Sequence, residues 1–223
     1  MDTVARENLM ALAADGETGF AVWLDLRNKH NQIFGAKTTD GGKTWSKNIL
    51  VYASPDTTVC ECCKPSVAVH NGHVYVMFRN WLHGNRDLYL VQSADAGATF
   101  GDAQKLGNGS WALKGCPMDG GGLTTTESGV PATVWNRKGE IFSCQPGKEE
   151  KLLGQGKKCT IATIENKTIY AWVQDGAVVL LKPSGDKVML GKGMLPVIRA
   201  VDKDHAICMW ENEKKIYSSI IAI

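Results

Sequence analysis

An aromatic residue closes a short apolar stretch five times along the chain, at Trp23, Phe78, Trp135, Trp172 and Trp210. After each comes a polar turn and a second apolar stretch, beginning at Ile33, Leu88, Ile141, Val178 and Ile216. The step from aromatic to second stretch is ten residues in the first two units and six in the last three. Those steps suit hairpins with a long or a short turn. A third stretch precedes each aromatic, at Leu9 to Ala13, Ser66 to Val69, Leu123 to Thr125, Thr160 to Thr163 and Val197 to Ala200. A fourth closes the first four units, at Ile49 to Tyr52, Ala103 to Leu106, Lys151 to Leu153 and Val188 to Leu190. The repeating unit is therefore four short strands, A to D, in an antiparallel meander. No segment carries a long helical apolar stripe. One such sheet cannot bury both faces, whereas sheets stacked around an axis bury them against each other.

The sequence thus predicts an all-β chain, a β-propeller of about five four-stranded blades. The blades fall near 8–53, 64–107, 120–154, 158–191 and 195–223, within one domain spanning 1–223. An all-β sandwich is the alternative, but it does not require the same aromatic in every unit. The fifth unit lacks its D strand. Segment Asp2 to Ala5 is expected to supply it and close the ring; the competing expectation is an open fragment of a six- or seven-bladed propeller.

Composition narrows the function classes. There are 24 glycines in 223 residues, with Asp-Gly and Asn-Gly dipeptides throughout, as many tight turns require. The net charge is +2 and no basic run stands out, so nucleic acid is not an expected partner. The longest apolar run, Ala177 to Leu181, is five residues, against about 20 for a spanning helix, so no membrane span is expected. Residues Met1 to Arg6 contain no apolar core of a signal peptide. Seven cysteines is an odd number, so at least one is a thiol, a metal ligand or an intermolecular partner.

Two turns share a pattern. Thr39-Asp40-Gly41-Gly42-Lys43-Thr44-Trp45 stands between strands C and D of the first unit, and Ser93-Ala94-Asp95-Ala96-Gly97-Ala98-Thr99-Phe100 at the same place in the second. Both resemble the Asp box, Ser-x-Asp-x-Gly-x-Thr-Trp, of sialidases and other BNR-repeat proteins. The Asp carboxylate accepts backbone N–H groups across the turn, glycine permits positive φ, and the aromatic is expected to plug the space between adjacent sheets. Asp40, Gly42, Thr44, Trp45, Asp95, Gly97, Thr99 and Phe100 are thus structural candidates. In that family the box lies on the face away from the active site.

The resemblance extends to Val59-Cys60-Glu61-Cys62-Cys63-Lys64-Pro65-Ser66, Met77-Phe78-Arg79-Asn80-Trp81, Arg86-Asp87-Leu88-Tyr89-Leu90 and Gly115-Cys116-Pro117-Met118-Asp119-Gly120-Gly121-Gly122. These stretches are similar to a bacterial sialidase-like group, most closely over residues 8 to 125. The resemblance implies an exported or periplasmic protein. A sialidase site needs three arginines for the substrate carboxylate, a tyrosine nucleophile with a glutamate, and an aspartic acid/base. The family's Phe-Arg-Ile-Pro motif is absent, so no arginine is assigned through it. Arg27, Arg79, Arg86, Arg137 and Arg199 fall near strand ends or turns, which leaves a cluster geometrically open. The catalytic candidates are Asp25, Arg27, Arg79, Arg86 and Asp119. The tyrosines fall within apolar strands and read as packing.

The cysteines are the sharper clue. Cys60, Cys62 and Cys63 precede the A strand of the second blade, Cys116 and Met118 that of the third, and Cys159 that of the fourth. In a propeller all D-to-A connections emerge on one face, so these sulfurs are expected near the mouth of the central channel. The B-to-C turns reach the same face and carry Arg27, His30, Trp81, His83, Arg86 and Asp87; of these, Trp81, His83, Arg86 and Asp87 are the binding candidates. Three readings stay open for Cys60, Cys62, Cys63, Cys116 and Met118. They are a disulfide from the Cys60–Cys63 loop to Cys116, a Cu(I) or zinc site, or plain buried thiols. Cys144 and Cys208 read as core thiols. The glycine run at 120–122 lacks a following Lys-Ser/Thr and a helix, so it is read as close backbone approach rather than a phosphate loop.

The functional expectation is a binding scaffold for a small molecule, glycan or protein at one propeller face, with a thiol-rich site at the channel mouth. The alternatives are an exo-sialidase or related glycoside hydrolase, and a copper- or zinc-handling protein.

Overall fold

The structure, a computed structural model, describes residues 8–56 and 58–223. The segment expected to close the ring, Asp2 to Ala5, lies outside the described residues. The chain is a β-propeller with five antiparallel sheets among the described residues, where no helix is long and apolar enough to cross a membrane. It divides into two compact units, 1–120 and 121–223.

Unit one holds two sheets. The first is β1 (Asn8–Asp15), β2 (Thr18–Asp25), β3 (Gln32–Thr38) and β4 (Ile49–Tyr52), in that spatial order. The second runs β5 (Thr58–Val59), β6 (Ser66–His70), β7 (His73–Leu82), β8 (Asn85–Ser93) and β9 (Gln104–Lys105), with β5 and β6 both paired to β7. Side chains alternate across a pleated strand. Phe20, Val22 and Leu24 of β2 therefore share one face with Ile33, and this face packs on Val67, Val69, Val74, Val76 and Phe78 of the second sheet. Ala21 and Trp23 face the other way and cluster with Phe34 and Ala36 of their own sheet.

Unit two holds three sheets. They are β10 (Gly122–Thr125), β11 (Pro131–Arg137), β12 (Glu140–Cys144) and β13 (Lys151–Gln155); then β14 (Lys157–Ile164), β15 (Lys167–Gln174), β16 (Ala177–Leu181) and β17 (Lys187–Lys192); and last β18 (Met194–Ala200), β19 (His205–Asn212) and β20 (Lys215–Ala222). The inner strands β10, β14 and β18 are neighbours in that order, as propeller blades require. Cys208 lies in the core between the last two sheets, and burial raises its thiol to about 11.

Within this unit the repeated tryptophan has a specific seat. Trp172 lies over Gly154 and Gly156 and donates from Nε1 to the Gln155 carbonyl at 2.8 Å. Trp210 lies over Gly191 and Gly193 and donates to the Lys192 carbonyl at 3.1 Å. A Cβ at Gly156 or Gly193 would fall 2.5 Å from the indole above it. A Gly-x-Gly edge on one sheet thus receives the indole of the next.

Two expectations change. The ten-residue step was read as a long turn in both early units. In the first it is one, between Asp25 and Gln32. In the second the strands themselves lengthen, and His83-Gly84, at φ 50° and 78°, closes a two-residue turn. Two consecutive positive φ values match the twist of the strands they join. The aromatic of the first Asp-Gly turn, Trp45, does not plug a gap between sheets; it is 44% exposed. Phe100 does meet Phe20 edge-on at 5.4 Å.

Candidate functional site

The site grows from an interruption in one strand. Val59 pairs with Asn80 and Ser66 with Met77, so residues 60–65 stand opposite only Phe78 and Arg79. The surplus chain bulges out of the sheet and carries Cys60, Cys62 and Cys63 with it. Cys60 N–H still donates to the Arg79 carbonyl at 2.9 Å, which fixes the start of the bulge.

The irregular segment 107–121 folds across the long β7–β8 hairpin. Arg86 N–H donates to the Trp111 carbonyl at 2.8 Å, and Asp87 accepts from Trp111 N–H at 2.8 Å. Lys105 pairs with Asp87 at 3.0 Å. This segment delivers Cys116, which is disulfide-bonded to Cys62. Gly120 is essential to the approach, because a Cβ there would sit 1.9 Å from the Lys64 carbonyl oxygen. The glycine run therefore serves close backbone contact with the cysteine loop.

The sulfurs of Cys60, Cys62 and Cys63 lie within 4.8 Å of one another. Cys60 and Cys63 are buried and hydrogen-bonded at 3.2 Å, while Cys60 Sγ lies 3.8 Å from Cys62 Sγ. Cys62 is half-buried and Cys116 exposed. Arg86 donates to Cys60 Sγ at 3.1 Å while its guanidinium lies over the Trp81 ring at 4.7 Å. The hydrogen bond shared with Cys63 brings the Cys60 thiol down to about 6; burial opposes this, and the Cys62 N–H and Arg86 add to it. Cys63 moves the other way, raised by its bond to Cys60, by burial and by the charge on Cys60. Near neutral pH the pair shares one proton across the 3.2 Å contact, and the Arg86 guanidinium beside Cys60 favours the negative charge on that sulfur.

With Cys62 bonded to Cys116, two thiols remain. A closed tetrahedral zinc seat needs four ligands, with sulfurs about 3.8 Å apart for 2.3 Å bonds. The 3.2 Å Cys60–Cys63 contact is a hydrogen bond and does not fit such a seat. Met118 is 65% exposed. Cys159 lies in the second unit, against the core that holds Trp172.

Among the arginine candidates Arg79 and Arg86 are buried, Arg27 is half-buried and Arg199 is exposed. Arg79 is buried, donates to the carbonyls of Asp119 at 2.9 Å and Arg86 at 2.7 Å, and lies over Trp111 at 5.4 Å. Arg86 spends a further donor on the Leu113 carbonyl at 3.3 Å. Asp119 is buried, and its N–H points at Cys63 Sγ. Arg27 grips Asp25 through Nε at 2.9 Å and Nη2 at 2.6 Å, and Trp23 Nε1 donates to the same carboxylate at 2.9 Å. Burial alone would raise Asp25, but Arg27 and Trp23 outweigh it and lower it. An aspartate so held is ionised at neutral pH and has no proton to give a leaving group. Arg137 pairs with Glu150. Burial raises Tyr52, Tyr75, Tyr89 and Tyr170, the wrong direction for a phenolate nucleophile. Among the binding candidates Asp87 and Arg86 are buried, Trp81 is half-buried and His83 is exposed at the turn. Trp111 and Leu113 were not singled out from sequence.

The Asp-Gly turns form matching networks. Asp40 accepts from Thr44 N–H at 2.9 Å, Thr44 Oγ1 at 2.6 Å and Thr38 Oγ1 at 2.8 Å. Asp95 does the same with Thr99 and Ser93, at 2.9, 2.6 and 2.6 Å. In each the hydroxyl of Thr38 or Ser93 also receives the N–H of Gly42 or Gly97. Three donors hold Asp40 down at about 2, and Asp95 shifts the same way.

No protein-family model matches the chain, and no characterised protein matches it by sequence. Solved structures do match it by fold. The Trypanosoma rangeli sialidase in complex with the inhibitor DANA superposes with a TM-score of 0.59 at 14% identity, over 97% of this chain and 47% of the sialidase. A family 117 glycoside hydrolase from the marine bacterium Zobellia galactanivorans gives 0.54 at 13% identity, over 98% and 84%. The Bacillus subtilis arabinanase gives 0.50 at 12% identity, over 97% and 96%. The chain spans about half the length of the sialidase. At these identities the likeness is one of fold: the chain has a sialidase-like propeller fold.

Proposed function

We propose that the chain is a binding scaffold whose working site is the thiol cluster on the β7–β8 hairpin, and not a glycoside hydrolase. The observation that carries this is the pairing of a buried Cys60–Cys63 thiol pair with Arg86 at 3.1 Å and with a disulfide whose half-buried Cys62 sulfur lies 3.8 Å away and whose Cys116 end is exposed. A purely structural staple has no use for a guanidinium aimed at a neighbouring thiol. The hydrolase reading loses support from Arg79 and Arg86, whose donors go to internal carbonyls and a thiol. The two Asp-Gly turns are read as Asp boxes, with a scaffolding role. The ligand is a small molecule, glycan or protein surface, and the disulfide suits the exported location implied by the family resemblance.

The test is a thiol count in denaturant without reductant, elemental analysis of the same sample, and turnover of a fluorogenic sialoside. Five thiols per chain, no stoichiometric metal and no turnover are expected. Turnover that Asp25→Asn abolishes would overturn the scaffold reading.

A further inference from the structure

Cys60 touches two sulfur systems at once. Its sulfur is 3.2 Å from Cys63 Sγ and 3.8 Å from Cys62 Sγ of the Cys62–Cys116 disulfide. The two systems differ in access: Cys60 and Cys63 are 0% and 1% exposed, whereas Cys116 is at the surface. A reagent in solution therefore reaches the outer disulfide, and the inner pair only through Cys62.

We propose that these four cysteines form a thiol–disulfide exchange relay that moves one disulfide between the outer pair Cys62–Cys116 and the inner pair Cys60–Cys63. In the first step Cys60 thiolate attacks Cys62 Sγ. A Cys60–Cys62 bond forms, the Cys62–Cys116 bond breaks, and Cys116 leaves as an exposed thiolate. In the second, Cys63 gives its proton to solvent or to Cys116 and attacks Cys60 Sγ; Cys60–Cys63 forms and Cys62 leaves as the thiolate. One disulfide and two thiols stand on each side, so no oxidant or reductant enters.

The surroundings suit both steps. The attacking thiolate needs positive charge and donors, which Arg86 and the Cys62 N–H supply. Once Cys60 is bonded, its charge no longer opposes ionisation of Cys63. The Arg79 charge and the Asp119 N–H, both favouring a Cys63 thiolate, remain. The positioning groups come from β7, β8 and the segment 107–121, so the arrangement does not depend on one flexible loop.

The proposal rests on the thiol cluster being the working site. Its test reads disulfides alone, and so stands or fails apart from any ligand-binding result. Native, unreduced protein is incubated with iodoacetamide at pH 7.5, and its disulfides are mapped by mass spectrometry after acid quenching. Departure of the bond from Cys116, in the first step, exposes that thiol to irreversible labelling. Labelled Cys116 and a Cys60–Cys63 disulfide should accumulate together with no reductant present. In Cys60→Ser the labelling of Cys116 should slow at least tenfold. In Cys63→Ser the label should appear with a trapped Cys60–Cys62 bond. A Cys62–Cys116 disulfide that persists unlabelled in the wild-type chain overturns the proposal, as does a native sample with no disulfide and one equivalent of copper or zinc.

Discussion

At Cys60 the balance of forces is set by neighbours within 3.2 Å: a thiol that shares a hydrogen bond and a guanidinium that cannot lose its charge. The folded thiol lies at about 6, below its ordinary 9.0. Between those values the folded chain binds fewer protons than the unfolded one, so this group stabilises the fold increasingly from pH 6 to 9 and loses that contribution as pH falls through 6. Cys63 and Cys208, both raised by burial among other causes, keep their protons in the folded chain but lose them in the unfolded one as pH nears 9, so above about pH 8 they offset the gain from Cys60. Stability measured by urea unfolding should therefore rise with pH from about 6 to 8, and rise less in Cys60→Ser. Arg86→Gln should move the thiolate absorbance of Cys60 to higher pH; no movement would remove Arg86 from the site. Asp40 obeys the same sign at lower pH: its contribution is complete above its ordinary 3.8 and lost on descent through about 2. The melting temperature of the wild type should fall more steeply than that of Asp40→Asn below pH 4. These residues were legible in the sequence as a cysteine cluster and two turns that resemble the Asp box. That Arg79 and Arg86 turn inward was not, because two of their carbonyl partners, Asp119 and Leu113, lie in 107–121, a segment without hydrophobic periodicity.

The elements show where pattern reading works. Alternation found nearly every strand, since one buried face per strand leaves a period of two. It misjudged the second hairpin because a polar strand and a polar turn look alike: Arg79, Asn80, Arg86 and Asp87 are all buried, each with internal partners. His83-Gly84 is the true turn, and asparagine tolerates the left-handed position better than histidine. His83→Asn should raise the melting temperature slightly without altering the site; a clear loss would give His83 a role beyond the turn. The disulfide joins elements that local pairing leaves apart, the β5–β6 bulge and the segment after β9, across 54 residues. Closing a loop of that length in the unfolded chain is worth about 4 kcal/mol. Cys116→Ser should lower the unfolding free energy by roughly that amount, and reductant should cost the variant much less than the wild type. A much smaller loss would mean that the outer bond is not the resting one.

For the molecule as a whole, the aromatic repeat that revealed the fold also marks its open faces. Phe78, Trp172 and Trp210 each pack into the core shared with the preceding sheet of their unit. Trp23 instead sits with Phe34 and Ala36 on a face that no other sheet of its unit covers, and its Nε1 turns to Asp25 of its own strand. Met10, Leu12 and Trp45, at 60%, 66% and 44% exposure, extend that face. They line a groove of about 410 Å³ with Ala11, Ala21 and Ala36. In the second unit the outer face of the last sheet exposes Met209, Ile216 and Ile220 at 36%, 74% and 67%. Apolar side chains left in water at this density favour association, each contributing up to about 2 kcal/mol when covered. The chain should therefore bind a hydrophobic dye and sediment faster as its concentration rises. Leu12→Glu and Ile220→Glu touch no buried cluster, so each should reduce both effects and leave the melting transition in place. Dye binding and sedimentation that ignore both substitutions would mean these faces are already covered in solution.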